Sequence, residues 1–72
     1  ELSVIKGLKE LIKKDKPALI VETGDDIKEI GRYLKKYGFN KYLFSNKNNN
    51  FIKIKKNYPL NTYFLQKKHL KI

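Results

Sequence analysis

The chain has 72 residues, no cysteine, and a net charge of +10 from 17 basic and 7 acidic residues. One domain is the most such a length allows, and a chain this short buries only about 60% of the surface its unfolded form exposes. No disulfide or thiolate metal site staples it, no apolar run approaches the ~20 residues of a membrane span, and no signal-peptide pattern is present, so the expectation is a soluble, cytoplasmic protein. Stability is then expected from a small core, from a partner, or from the rest of a longer protein. The start at Glu1 rather than at methionine is read as processing or truncation.

The first segment, ELSVIKGLKELIKKDK, carries Val4, Ile5, Leu8, Leu11 and Ile12 at helical spacing. Lysines occupy the other side, and those near its end suit the helix dipole. Gly7 costs on the order of 1 kcal/mol against alanine within a helix, and close approach of a neighbouring element would account for it. Pro17 opposes continuation. ALIV, residues 18–21, does not alternate, so it is expected to be a parallel strand covered on both faces. ETGDD then turns the chain, and Asp26 with Glu29 fits a capping pattern in which Asp25 competes as the helix-capping residue.

Ile27, Ile30, Leu34 and Tyr37 mark a second helix, and Gly38 is its expected terminator. KYLFSN (41–46) and NFIKIKK (50–56) read as two strands of a hairpin across a polar asparagine-rich tip, and TYFLQ (62–66) as a third strand after the turn at Pro59. The tail from Lys67 to Ile72 is expected to fray. The order is helix, strand, helix, strand, strand, strand. The unit from Ala18 to Ser45 should form a right-handed parallel crossover, in a mostly parallel α/β sheet with an antiparallel end.

Charge alone points toward nucleic acid or an anionic membrane surface. Sixteen of the 17 basic residues are lysine, however, and Arg32 is the sole arginine, the side chain best suited to bidentate phosphate and guanine contacts. Solvated lysine faces are the preferred reading, and nucleic acid is disfavoured as a partner. Lysine and aromatic residues interleave in KYGFNKYLF, which suits base stacking, although a small domain also needs such rings for its core. A small lysine-rich nucleic-acid-binding module is therefore the alternative reading.

Most catalytic constellations are excluded. No glycine-rich turn has phosphate-binding spacing, no cysteine is available as a nucleophile, and His69 stands alone in the basic tail. Glu22, Asp25 and Asp26 fall within five positions. Glu22 follows ALIV directly, where ligands of open α/β sheets bind, and is the candidate for contact with a substrate or an oxygen-liganded metal. Asp25 and Asp26 are read as helix-start residues.

Taken in order, VIKG (4–7), KPALIVE (16–22), KKYGF (35–39) and NTYFL (61–65) resemble the C-terminal portion of FkbM-family methyltransferases, with Glu1 as the last residue of that family's Asp-x-Glu-Gly-x-Glu phrase. The resemblance spans nearly the whole chain. It implies the C-terminal half of a Rossmann-like sheet in an S-adenosylmethionine-dependent enzyme. The family's glycine-rich cofactor motif lies upstream of the matched phrases, so it implies no catalytic or cofactor-binding residue in this segment and no activity for it alone. It also implies that Glu22 ends the fifth strand of the sheet, that the partner is the upstream half of the same domain, and that an exposed sheet edge invites self-association.

Overall fold

A computed structural model describes residues 2–70. Helices α1 (Leu2–Gly7) and α2 (Lys9–Asp15) precede strand β1 (Leu19–Glu22), helix α3 (Ile27–Lys35), strands β2 (Asn40–Ser45), β3 (Asn50–Lys53) and β4 (Asn61–Leu65), and a terminal 3-10 turn at Lys67–Leu70. The expected single first helix is thus two. Its break falls at Leu8, whose φ of −97° and ψ of 17° leave the helical region. Gly7 has open space where a Cβ would stand, so no neighbour requires glycine there. Lys16, in the left-handed region at φ 49°, closes α2 before Pro17.

The four strands form one sheet in the order β1-β4-β2-β3. Every pairing among the described residues is antiparallel, which corrects the mostly parallel sheet expected from the sequence. The β2–β3 hairpin is as expected, with Phe44 opposite Phe51. The last strand does not extend the hairpin. It inserts between β1 and β2, antiparallel to both, so β1 and β2 run in the same direction on either side of it. The strand–helix–strand unit is therefore a crossover that spans one intervening strand.

Strand alternation assigns the two sheet faces. Leu19, Val21, Thr62, Phe64 and Lys41 share one face through the pairs Leu19–Phe64, Val21–Thr62 and Lys41–Phe64. That face meets the helices. The core joins Val21 and Phe64 to Ile5, Ile12, Ile27, Ile30, Leu34 and Phe39. On α3 the buried residues are Ile27, Ile30 and Leu34, as their spacing predicts. Gly38, at φ 89°, ends the helix in a Schellman turn: its N–H donates to the Lys35 carbonyl and that of Phe39 to the Leu34 carbonyl. Phe39 then drops into the core at 1% exposed.

The opposite face carries Ile20, Tyr63, Tyr42, Phe51 and Phe44, none of which joins the core packed under α1, α2 and α3, together with Leu65, which is buried where β4 meets the terminal 3-10 turn. This corrects the expectation that ALIV is buried on both sides, since Ile20 is 64% exposed. A short apolar run cannot by itself tell two covered faces from one. The tail is more ordered than expected up to Leu70. The Gln66 N–H donates to His69 Nδ1 at 2.9 Å, which closes the terminal turn. The expectations for Glu1, Lys71 and Ile72 lie outside the described residues.

Candidate functional site

Polar and charged groups gather at two places: the end of β1, where the sequence places its acidic residues, and a basic groove on the helix side. At the first, β1 ends opposite β4, with Glu22 registered to Asn61. The Thr23 N–H donates to the Leu60 carbonyl at 2.8 Å, and the Thr23 and Thr62 hydroxyls share a hydrogen bond of 2.8 Å. Thr62 is fully buried, so this bond meets the polar requirement of its side chain. The pair anchors the strand end. Neither threonine stands out in the sequence, because their partnership depends on the β1–β4 register.

Glu22 is exposed at this end of the sheet. Asp25 is exposed in the turn before α3. Asp26 holds the N-cap position and its carbonyl accepts the Ile30 N–H, but its side chain does not cap α3. Instead Oδ2 accepts the Leu2 N–H at 3.0 Å. The carboxylate thus satisfies an amide at the start of another helix, α1, which would otherwise lack an intrahelical partner. This bond from Leu2 is the main cause that holds the Asp26 carboxyl below its usual range. The three acidic residues are therefore not gathered into one site. Among the described residues no group of three His, Cys, Asp or Glu side chains is placed to hold a metal ion.

The groove, of about 470 Å³, lies between α3 and the segment that follows β3. Lys28, Arg32 and Lys35 recur at spacings of four and three along α3 and form one wall. Lys41 of β2 with Lys55 and Lys56 forms the other. Gly31, Phe39 and Phe64 also line it, and among the described residues no carboxylate does. Lys41 is held in place: Nζ donates to the Tyr58 hydroxyl at 2.7 Å and lies 4.9 Å from the centre of that ring. On the neighbouring side of α3, Lys6 and Lys36 both lie 5.8 Å from the Tyr33 ring. The sequence reading singled out neither wall, although the spacing of Lys28, Arg32 and Lys35 could have marked the first; the second, with Lys41 and the distant Lys55 and Lys56, depends on the fold.

Comparisons with protein-family models, with curated proteins and with solved structures each return no match. Among the described residues no helix is long and apolar enough to cross a membrane.

Proposed function

We propose that the chain is the C-terminal segment of an FkbM-like, S-adenosylmethionine-dependent methyltransferase, and that it is not catalytically complete alone. The observation that carries this reading is β1, an apolar strand at the sheet margin whose only partner among the described residues is β4 and whose Ile20 is 64% exposed. An uncovered apolar edge strand is a template for further pairing. Val4, Leu8 and Leu11, at 60%, 40% and 46% exposed, add an apolar stripe on the helices that precede it. A larger sheet with helices on its second face would cover both surfaces. In this reading the cofactor is held upstream, the methyl acceptor is open, and Glu22 faces the substrate side as a candidate contact residue.

The coding sequence upstream of Glu1 tests the reading. An earlier strand followed by a glycine-rich turn, and an Asp-x-Glu-Gly phrase running into Glu1, are expected. A stop codon directly before Glu1, or an upstream frame with no such strand, would sink it. Calorimetry adds a second check: the longer chain should bind S-adenosylmethionine and the 72-residue segment should not.

The second reading is the small lysine-rich nucleic-acid-binding module. It is favoured by the open aromatic face, where Phe51 stands 5.2 Å from Phe44 and 5.1 Å from Tyr63 between ring centres. Four-stranded sheets with aromatic faces can stack bases. The basic groove, however, lies on the other face of the sheet, so stacking and the densest phosphate contacts would fall on opposite sides. That separation ranks it second. Titration of a labelled single-stranded oligonucleotide at two salt concentrations should show affinity falling steeply with salt, and no binding at low salt would remove it.

A further inference from the structure

We infer that the groove between α3 and the Lys55–Tyr58 segment binds a small phosphate-bearing ligand with an apolar body, of the nucleoside polyphosphate class. The inference stands on the groove alone and does not rest on the methyltransferase reading.

Three observations carry it. The first is the charge arrangement. Lys28, Arg32 and Lys35 face Lys41, Lys55 and Lys56 across the hollow, and among the described residues no acidic side chain lines it. Six cations around one concavity repel one another unless anions enter, and the low-dielectric walls of a cleft focus that field. Among the described residues the groove excludes every acidic side chain, although Glu29 stands next to Lys28 on the same helix. The second is the floor. Gly31 has no side chain to fill the hollow, and an added Cβ would stand 3.7 Å from a ring carbon of Phe64. The absent side chain leaves the hollow open down to Gly31, with the half-buried ring of Tyr58 also lining it and Phe39 and Phe64 sealed beneath at 1% exposed. Gly31 and the Tyr58 ring give the hollow an apolar portion within a cationic rim, which suits a ligand with a planar or apolar body and anionic groups. The third is size. About 470 Å³ lies within the range of roughly 300–1,000 Å³ that small-ligand sites occupy.

Arg32 supplies the one guanidinium able to grip a phosphate through two parallel bonds. Lys41 is positioned for the same task by Tyr58, whose hydroxyl and ring both engage it. The remaining lysines act as point charges. A polymer whose bases stack on the open aromatic face would have to wrap around the sheet to reach this groove, and a compact ligand needs no such path.

Fluorescence-detected and calorimetric titrations of the full chain with ATP, with inorganic tripolyphosphate and with a single-stranded oligonucleotide test the inference. ATP is expected to bind, more tightly than tripolyphosphate, and Lys28→Gln/Arg32→Gln/Lys35→Gln should weaken it by about tenfold or more, the scale of lost charge-assisted bonds. A charge-matched control, Lys9→Gln/Lys13→Gln/Lys14→Gln, removes the same charge from α2 and should change ATP affinity less than about twofold, as a screened distant field allows. Gly31→Leu should weaken ATP while leaving tripolyphosphate nearly unchanged, because it fills the apolar floor and spares the rim. Circular dichroism confirms that each variant folds. Equal losses in the two triple variants would reduce the groove to part of a diffuse field and overturn the inference. So would absence of ATP binding at low salt, or oligonucleotide binding that depends on the α3 triplet when ATP binding does not.

Discussion

On the helix side of the sheet Val21, Thr62 and Phe64 are 5%, 0% and 1% exposed; on the other side Ile20, in the same strand as Val21, is 64% exposed and Phe44 is 39% exposed. The residues of the two faces are comparably apolar, and over the central strands their surroundings differ; toward the margins Ile52 on the first face is exposed and Leu65 on the second is buried. Three helices cover the first face, and their stripes at Ile5, Ile12, Ile27, Ile30 and Leu34 close the core with it. The second face has rings that meet edge to face and little else. The molecule measures 35 × 29 × 15 Å, so its shortest dimension has room for one sheet and one layer of helices. The lesson is that composition sets how much apolar surface a chain carries, while the order of strands and helices sets how much of it is buried.

The largest test of this contrast pairs one substitution on each face. Phe64→Ala removes a ring that is 1% exposed, and it should cost about 3–5 kcal/mol, enough to unfold much of so small a domain. Ile20→Ser, one position removed in strand register, should stay within about 0.5 kcal/mol in the isolated chain. Urea denaturation followed by circular dichroism reads both. A cost at Ile20 approaching that at Phe64, and dependent on protein concentration, would mean that a second copy covers the open face. The contrast between faces would then be lost.

The helix layer depends on the turn at Gly38, and the next effect in size is there. Gly38→Ala places a Cβ at φ 89° and 3.4 Å from the side-chain nitrogen of Gln66, which donates to the Tyr37 carbonyl. A loss of about 1–2 kcal/mol is expected from the left-handed backbone alone. Thermal unfolding of the two proteins side by side measures it. No loss would mean that the helix can end another way and that Phe39 does not need this turn to reach the core.

Much of the packed side was legible in the sequence. The spacing of Ile27, Ile30 and Leu34 places α3, Gly38 ends it, and the asparagine-rich tip divides the hairpin. Those signals are local. What was not legible depends on partners distant in sequence. Nothing in TYFLQ says that it will slide between β1 and β2 rather than beside β3, because a strand's neighbours are chosen by the whole sheet. Ile20 and Val21 look alike until β4 assigns them faces. The basic groove is the same kind of case: Lys28, Arg32 and Lys35 share one face of α3, while Lys55 and Lys56 belong to a segment that only the fold brings opposite. The division of the first helix at Leu8 went unseen because its apolar spacing runs through the break.

The smallest effect concerns Asp26, which joins the two ends of the helix layer. Its carboxylate accepts the Leu2 N–H, so it ties the first turn of α1 to the start of α3. Because that bond favours the ionised form, the carboxyl titrates below its usual range in the folded chain. The sign follows from linkage. A lowered folded-state value contributes stability that is present above the unfolded value, near about 3.9, and is lost as pH falls through the folded value. Asp26→Asn should therefore lower the urea midpoint slightly at neutral pH, and the gap from the parent chain should close in acid. The effect is small because solvent screens the group. A gap that persists unchanged below about pH 2 would show that the side chain acts through its shape and not its charge. A gap absent at neutral pH would show that the tie between α1 and α3 adds nothing, and that the packed face holds its helices by apolar contact alone.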